Sequence, residues 1–136
     1  MMNIIVGHVL VLKLPFANGA PCFSKRPFLV IDKKDQTLDL LNISSTKGKE
    51  RKLLFPSNLR IKKFYPPLDN PSFIKMDELY TIDNFDELHK SLYKNRPPII
   101  TEEVNRIISE YSKYRFENEV TSVKYLELQV KNENAL

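Results

Sequence analysis

Eight consecutive residues, Ser24-Lys25-Arg26-Pro27-Phe28-Leu29-Val30-Ile31, constrain this chain more than any other stretch. The second half is apolar and rich in β-branched and aromatic side chains, the composition of a buried strand. The first half sets two cations beside a proline. Pro27 fixes its own φ and disfavours helical geometry at Arg26, so the chain is expected to enter the strand extended. That places a planar, always-charged guanidinium at the mouth of a stiff element, an arrangement suited to gripping a phosphate with paired donors. An ordinary solvated cation at a strand end fits the same residues, and the pattern alone leaves both readings open.

The neighbouring segments read as further short strands. Gly7-His8-Val9-Leu10-Val11-Leu12-Lys13-Leu14 is a first strand opened by a glycine, with Met1 to Ile5 leading into it. Pro15 to Pro21 is dense in turn residues, so the first two strands are expected to pair as an antiparallel hairpin with a long connection. After the polar turn Asp32 to Gln36, Thr37 to Ser44 gives a third, largely buried strand. Leu53-Leu54-Phe55 is a short strand or a loop lining, and Leu59, Ile61 and Phe64-Tyr65 mark an exposed strand. Pro66, Pro67 and Pro71 bracket a rigid turn before strands at Ser72 to Met76 and Leu79 to Ile82. Many short strands separated by turn signals favour a small barrel or rolled sheet.

The last third changes period. Asp83 is expected to cap a helix that presents Phe85, Leu88 and Leu92 on one face and stops at Asn95-Arg96-Pro97-Pro98. Thr101 is expected to cap a second helix, with Glu102 and Glu103 in the first turn where the dipole favours acids. Val104, Ile107, Ile108 and Tyr111 form its core-facing stripe. Further on, Leu126 to Val130 alternates like a strand, although Lys124 to Lys131 also fits a helix. The expectation is a mainly β, α+β domain over residues 1–117 with one or two packed C-terminal helices, followed by an extension over 118–136.

A chain of 136 residues is long enough for one domain with its own core. Ordinary hydrophobic and charged content, no apolar run long enough to cross a bilayer and no signal-peptide pattern lead to the expectation of a cytoplasmic protein without a membrane partner. The single Cys22 has no partner for an internal disulfide, and two histidines argue against a zinc site, so no metal or cofactor is expected. The net charge is +4, and its distribution says more than its size. Lys47, Lys49, Arg51 and Lys52 crowd one segment, and Arg60, Lys62 and Lys63 follow. Such clustering suits a polyanion such as nucleic acid, with a solvated basic loop as the alternative. A nucleophile elbow, a Walker loop, a dinucleotide fingerprint and HExxH are all absent from the sequence. Cys22, between Pro21 and Phe23, has no histidine obviously near it, which argues against a cysteine nucleophile. His8 reads as a packed structural residue and His89 as a solvated one.

Taken in order, four pieces have the character of a known family. These are Gly7-His8-Val9-Leu10-Val11, the loop ending in Lys25 to Ile31, the strand end Asn42-Ile43-Ser44, and Ser72-Phe73-Ile74-Lys75-Met76-Asp77-Glu78-Leu79-Tyr80-Thr81-Ile82-Asp83. Together they resemble the MazF/PemK/Kid family of toxin endoribonucleases. That pattern is a Gly-acidic-aliphatic opening, an RPxLVI strand, a strand ending in Thr or Ser, and a segment ending near Q-x-R-T-I-D before a helix. The resemblance runs from about Gly7 to the second helix. It implies a compact SH3-like small barrel of the MazF/Kid/CcdB type, usually a homodimer. It also implies metal-independent cleavage of single-stranded RNA and inhibition by a cognate antitoxin, protein or RNA.

Carried over by position, Arg26 matches the family's strand-entry arginine and Ser44 its strand-end hydroxyl, usually threonine. Lys75 and Asp77 fall where some members carry a catalytic Arg-x-Asp. Two departures stand out: His8 replaces the usual acidic residue, and the Phe16–Ser24 loop lacks the histidine some members use there. Cutting RNA through its own 2′-OH needs a proton acceptor, a proton donor for the leaving 5′-oxygen and cations for the developing charge. Arg26 suits the charge or the leaving oxygen, Ser44 a non-bridging oxygen with Ser45 and Thr46 as nearby substitutes, and Lys75 the phosphate. Asp77 suits proton acceptance or the orientation of Arg26, while a surface Lys75–Asp77 ion pair fits as well. Phe16 and Phe23 suit base stacking, or equally core or dimer contacts. Lys25, Ser45, Thr46, Lys47, Lys49, Arg51 and Lys52 complete the expected RNA-binding set. Two readings from other classes remain: a non-catalytic barrel of this type that binds a protein target, and a plain nucleic-acid-binding SH3-like module.

Overall fold

Side-chain alternation decides how this molecule is layered. The computed structural model describes residues 3–136, so Met1 and Met2 of the expected lead-in lie outside the described residues. The strands are β1 (Val9–Leu12), β2 (Arg26–Lys33), β3 (Thr37–Ser45), β4 (Asn58–Arg60), β5 (Ser72–Asp83) and β6 (Thr121–Tyr125). They form one six-stranded sheet in the order β1-β2-β3-β5-β4, with β6 also paired to β5. Helices α1 (Thr101–Glu117) and α2 (Glu127–Asn134) join it, with short 3₁₀ segments at Glu50–Leu54, Asp86–Ser91 and Tyr93–Asn95. The fold is mixed α+β, and among the described residues the sheet is not closed.

Because successive strand residues point to opposite faces, each strand feeds two cores. Leu10, Leu12, Phe28, Val30, Leu38, Leu40, Tyr80 and Ile82 pack on one face, covered by Leu88, Leu92 and Val130. Val9, Leu29, Ile31, Leu41, Ile43, Ile74 and Leu79 pack on the other, covered by Ile99, Val104, Ile107 and Tyr111. The α1 stripe therefore does what its spacing predicts. The antiparallel β1–β2 pairing, with Leu12 opposite Arg26, is also as expected.

β5 organises the sheet. On one side it pairs with β3; on the other, Phe73 to Lys75 pair with β4 and Glu78 to Ile82 pair in parallel with β6. Between Leu41 and Ile43 of β3 the partner in β5 jumps from Leu79 to Ile74, so extra residues bulge and bend β5 around Lys75 to Glu78.

Several expected elements differ. The first strand starts at Val9, because Gly7 is a turn residue with φ +99°. A Cβ there would meet Val104 Cγ2 at 3.0 Å and Pro98 Cβ at 3.1 Å, so only glycine admits the approach of the α1 lead-in. Leu53-Leu54-Phe55 is not a strand: Leu53 and Leu54 end a 3₁₀ segment, Leu54 and Phe55 are exposed, and Phe64-Tyr65 lie beyond the three-residue β4. Ser72 to Ile82 is one continuous strand. Asp83 ends β5 opposite Thr37 and caps no helix at Phe85, where the chain forms only 3₁₀ turns. Its Oδ2 instead accepts a hydrogen bond from the Glu127 amide (2.8 Å), at the start of α2. Thr101 is the first helical residue of α1, and Ile100 occupies the cap position without a side-chain cap bond. In the segment left open by pattern, Leu126 to Val130 enters a helix and the strand lies upstream at Thr121–Tyr125. Among the described residues no helix is long and apolar enough to cross a membrane.

Candidate functional site

The alternation that buries Phe28 and Val30 puts Arg26 on the same side of β2, and the alternation of Leu38 and Leu40 does the same for Asn42 and Ser44 of β3. Here the apolar pattern stops. Polar side chains then face an open cleft of about 400 Å³, lined by Phe16, Lys25, Arg26, Pro27, Asn42, Ile43, Ser44, Ser45, Lys49 and Lys75. Four of those residues are cations and none is a carboxylate. A smaller hollow of about 140 Å³ shares Pro27, Ile43 and Ser45 with it and continues to Leu68, Asp69 and Tyr93.

Arg26 is fixed at the cleft wall without a carboxylate. Its Nη2 donates to the Leu14 carbonyl (2.9 Å), and Phe16 covers the guanidinium at 4.1 Å from the ring centroid. Phe28 and Tyr80 lie within cation–π range at 5.1 and 5.4 Å. Its Nε has no partner among the described residues. Burial pushes the Tyr80 hydroxyl above its usual pKa, partly offset by Arg26, and that hydroxyl accepts from the Ala17 amide (3.2 Å).

On the neighbouring strand β3, Ser44 Oγ accepts from Lys49 Nζ (3.2 Å), so the start of the basic segment reaches back over the strand end. Ser45 Oγ accepts from the Lys47 amide (3.3 Å). Asn42 is buried, with Nδ2 donating to the Pro27 carbonyl (3.0 Å), and so adds a side-chain tie between β2 and β3.

Of the residues singled out by sequence, Phe16, Lys25, Arg26, Ser44, Ser45, Lys49 and Lys75 come together here. Asp77, Thr46, Lys47, Arg51 and Lys52 do not line the cleft. The Thr46 hydroxyl is committed to the Pro71 carbonyl (3.2 Å) in a buried position. Asp77 sits in the β5 bulge with a buried Oδ1 that has no hydrogen-bond partner among the described residues, and it makes no ion pair with Lys75. Phe23 is almost wholly exposed on the loop that leads to Arg26. Asn42 and Tyr80 are the site residues that sequence reasoning missed. Each is a polar group at an inward position of an otherwise apolar alternation, which is the signal that exposes them.

The backbone of the second basic cluster, not its side-chain charges, is tied to α1. Glu103 of α1 accepts from the Lys62 and Lys63 amides and from Arg106, whose Nη2 donates to the Arg60 carbonyl (2.7 Å). Burial pushes the Glu103 carboxyl up, but the hydrogen bonds from Arg106 and those amides outweigh it and hold it below the usual range. Hydrogen bonds from Lys94 and then Arg96 likewise lower Asp69 to about 2.

Neither histidine reaches the cleft. His8 Nδ1 accepts from the Ile5 amide (2.9 Å), and burial, with Lys33 nearby, lowers its pKa. His89 Nδ1 contacts the Asp86 carbonyl (2.6 Å). Cys22 is buried, its Sγ donating to the Ser24 carbonyl (2.8 Å). Among the described residues no three His, Cys, Asp or Glu side chains gather as a metal site would require. No protein-family model matches the chain, and no curated protein matches it in sequence.

Proposed function

We propose that this chain is an endoribonuclease toxin of the MazF/PemK/Kid type, its open sheet a variant of the SH3-like small barrel. In this reading it cuts single-stranded RNA without a metal, works in the cytoplasm as a homodimer and is restrained by a protein or RNA antitoxin. One observation carries it: a cleft lined by four cations and no carboxylate, with an arginine from β2 and a serine from β3 among its lining. Such a cleft suits a phosphodiester, because fixed donors facing developing negative charge cost no reorganisation when it appears.

In the reaction the substrate's 2′-oxygen attacks phosphorus and the P–O5′ bond breaks as the leaving 5′-oxygen takes a proton from Arg26, which recovers it from water, leaving a 2′,3′-cyclic phosphate and a 5′-hydroxyl. Arg26 holds the non-bridging oxygens of the phosphorane, with Lys75 and Lys49 adding charge, and Ser44 donates to one of those oxygens. Asp77, on the bent part of β5, is the carboxylate assigned to the 2′-proton. Phe16 offers a ring at the cleft wall and Phe23 one on the adjoining loop for unstacked bases.

Purified protein is expected to cleave unstructured RNA in EDTA, leaving 2′,3′-cyclic phosphate ends, and Arg26→Ala to abolish this. Unchanged cleavage by that variant rejects the assignment. The position of Asp77 outside the cleft lining favours a second reading, a module of the same architecture that binds single-stranded RNA without cutting it. Tight binding with no cleavage of any RNA selects that one.

A further inference from the structure

The four residues Lys13 to Phe16 alternate in what they hold. Leu14 accepts Arg26 Nη2 on its carbonyl (2.9 Å), and Phe16 covers the guanidinium face. The two residues between and before them are held by the C-terminal segment. Asn134 of α2 pairs with both backbone groups of Lys13, its Oδ1 accepting from the amide (2.7 Å) and its Nδ2 donating to the carbonyl (3.0 Å). Tyr125, at the end of β6, donates its hydroxyl to the Pro15 carbonyl (2.9 Å). So the tail grips Lys13 and Pro15, and Leu14 and Phe16 grip the arginine.

We propose that Tyr125 and Asn134 are positioning residues for Arg26, acting through the Lys13–Phe16 segment. This segment follows β1 and, among the described residues, has no strand partner of its own in the sheet. Asn134 supplies the pair of bonds a neighbouring strand would give, and Tyr125 fixes the carbonyl on the far side of Leu14. The tail is anchored to do this: β6 pairs with β5 from Thr121 to Tyr125, Asp83 receives the Glu127 amide, and Val130 is fully buried. Proline at position 15 has no amide hydrogen, so its carbonyl is its one backbone handle, and Tyr125 takes it.

The structural part rests on these distances alone; the kinetic part rests on the nuclease reading. The test is the Arg26 side-chain Nε–Hε signal in ¹⁵N NMR of the full chain, assigned by its loss in Arg26→Ala. Tyr125→Phe removes one hydroxyl and keeps the ring, so it should melt cooperatively near the parent. Its Arg26 signal is expected to shift and to exchange faster with rotation of the guanidinium. Cleavage should fall about tenfold in kcat with KM changed less than twofold, as misplacement of a reacting group does. Asn134→Ala should move the same signal; if it fails to fold, Tyr125→Phe still decides. An unmoved Arg26 signal in Tyr125→Phe overturns the proposal, whatever happens to the rate. A shifted signal in a protein that cuts no RNA upholds the positioning and removes the nuclease reading instead.

Discussion

Two arginines of this protein sit at similar partial burial and meet opposite fates. Arg106 lies against Glu103, bonded through Nε to Oε1 (2.8 Å) and Nη2 to Oε2 (2.9 Å), with the Arg60 carbonyl completing the set. Arg26 has a single backbone carbonyl and three aromatic rings, and no carboxylate pairs with it. Both positions hold the guanidinium still. Only the second leaves its charge for a ligand. A cluster of cations in sequence is therefore no guide to where an anion binds; the guide is whether the fold has already supplied the counter-charge. By that measure Arg106 has its counter-charge in Glu103, which takes only the backbone amides of Lys62 and Lys63, while Lys25, Arg26, Lys49 and Lys75 face a cleft without a carboxylate.

The sharpest way to break this comparison is to delete each arginine. Arg26→Ala should lower RNA cleavage about 1000-fold, the upper range for losing one fixed donor to an oxyanion. Arg106→Ala should leave turnover by the folded protein within about twofold. The reverse holds for stability. Glu103→Ala strands the Lys62 and Lys63 amides and the Arg106 charge, and should cost about 2–3 kcal/mol in urea unfolding.

A smaller effect separates the two hydroxyls of the β3 end. Ser44→Ala should slow cleavage about tenfold, measured at saturating RNA, because its Oγ faces the cleft. Thr46→Val should leave the rate unchanged, since its hydroxyl already serves the Pro71 carbonyl. Smaller again is the salt response. Lys49→Ala should lower the slope of log binding constant against log salt by about 0.7 for single-stranded RNA, the effect of losing one phosphate contact. Lys62→Ala should not alter it.

The smallest expected effect involves the buried histidine. His8 has its native pKa below the ordinary 6.5, so the unfolded chain binds the proton first as pH falls. Its contribution to stability is complete above 6.5 and is lost as pH drops through the lower native value. Thermal melts between pH 7.5 and 5 should show a decline that His8→Asn lessens.

Much of the cleft could be read from the chain because it depends on period-two patterns. Arg26 before Pro27-Phe28-Leu29-Val30, and Ser44 two residues beyond Asn42, are placed by alternation alone. What escaped depended on partners distant in sequence. Nothing local marks the Leu14 carbonyl as an acceptor for Arg26, or Asp83 as a partner for Glu127 44 positions later. The β5 bulge was invisible for the same reason. Register is a property of two strands, and without it the sequence places Lys75 and Asp77 in one site that only Lys75 lines. Helix signals failed where the chain was short: Phe85, Leu88 and Leu92 have helical spacing, but 3₁₀ turns and an extended Phe85 satisfy it equally. The long α1 stripe, by contrast, had enough turns to be unambiguous.

A polynucleotide lying along the cleft at Arg26 and Ser44 is the central claim, and a titration reads it most directly. Amide and arginine side-chain signals would be followed as a 2′-O-methyl RNA oligomer, which cannot be cut, is added to the intact protein. The prediction is saturable shifts at Lys25, Arg26, Ser44, Ser45 and Lys49, with Lys62, Lys63 and Arg106 unmoved. Shifts centred on Lys62, Lys63 and Arg106, with Arg26 and Ser44 unmoved, would contradict it.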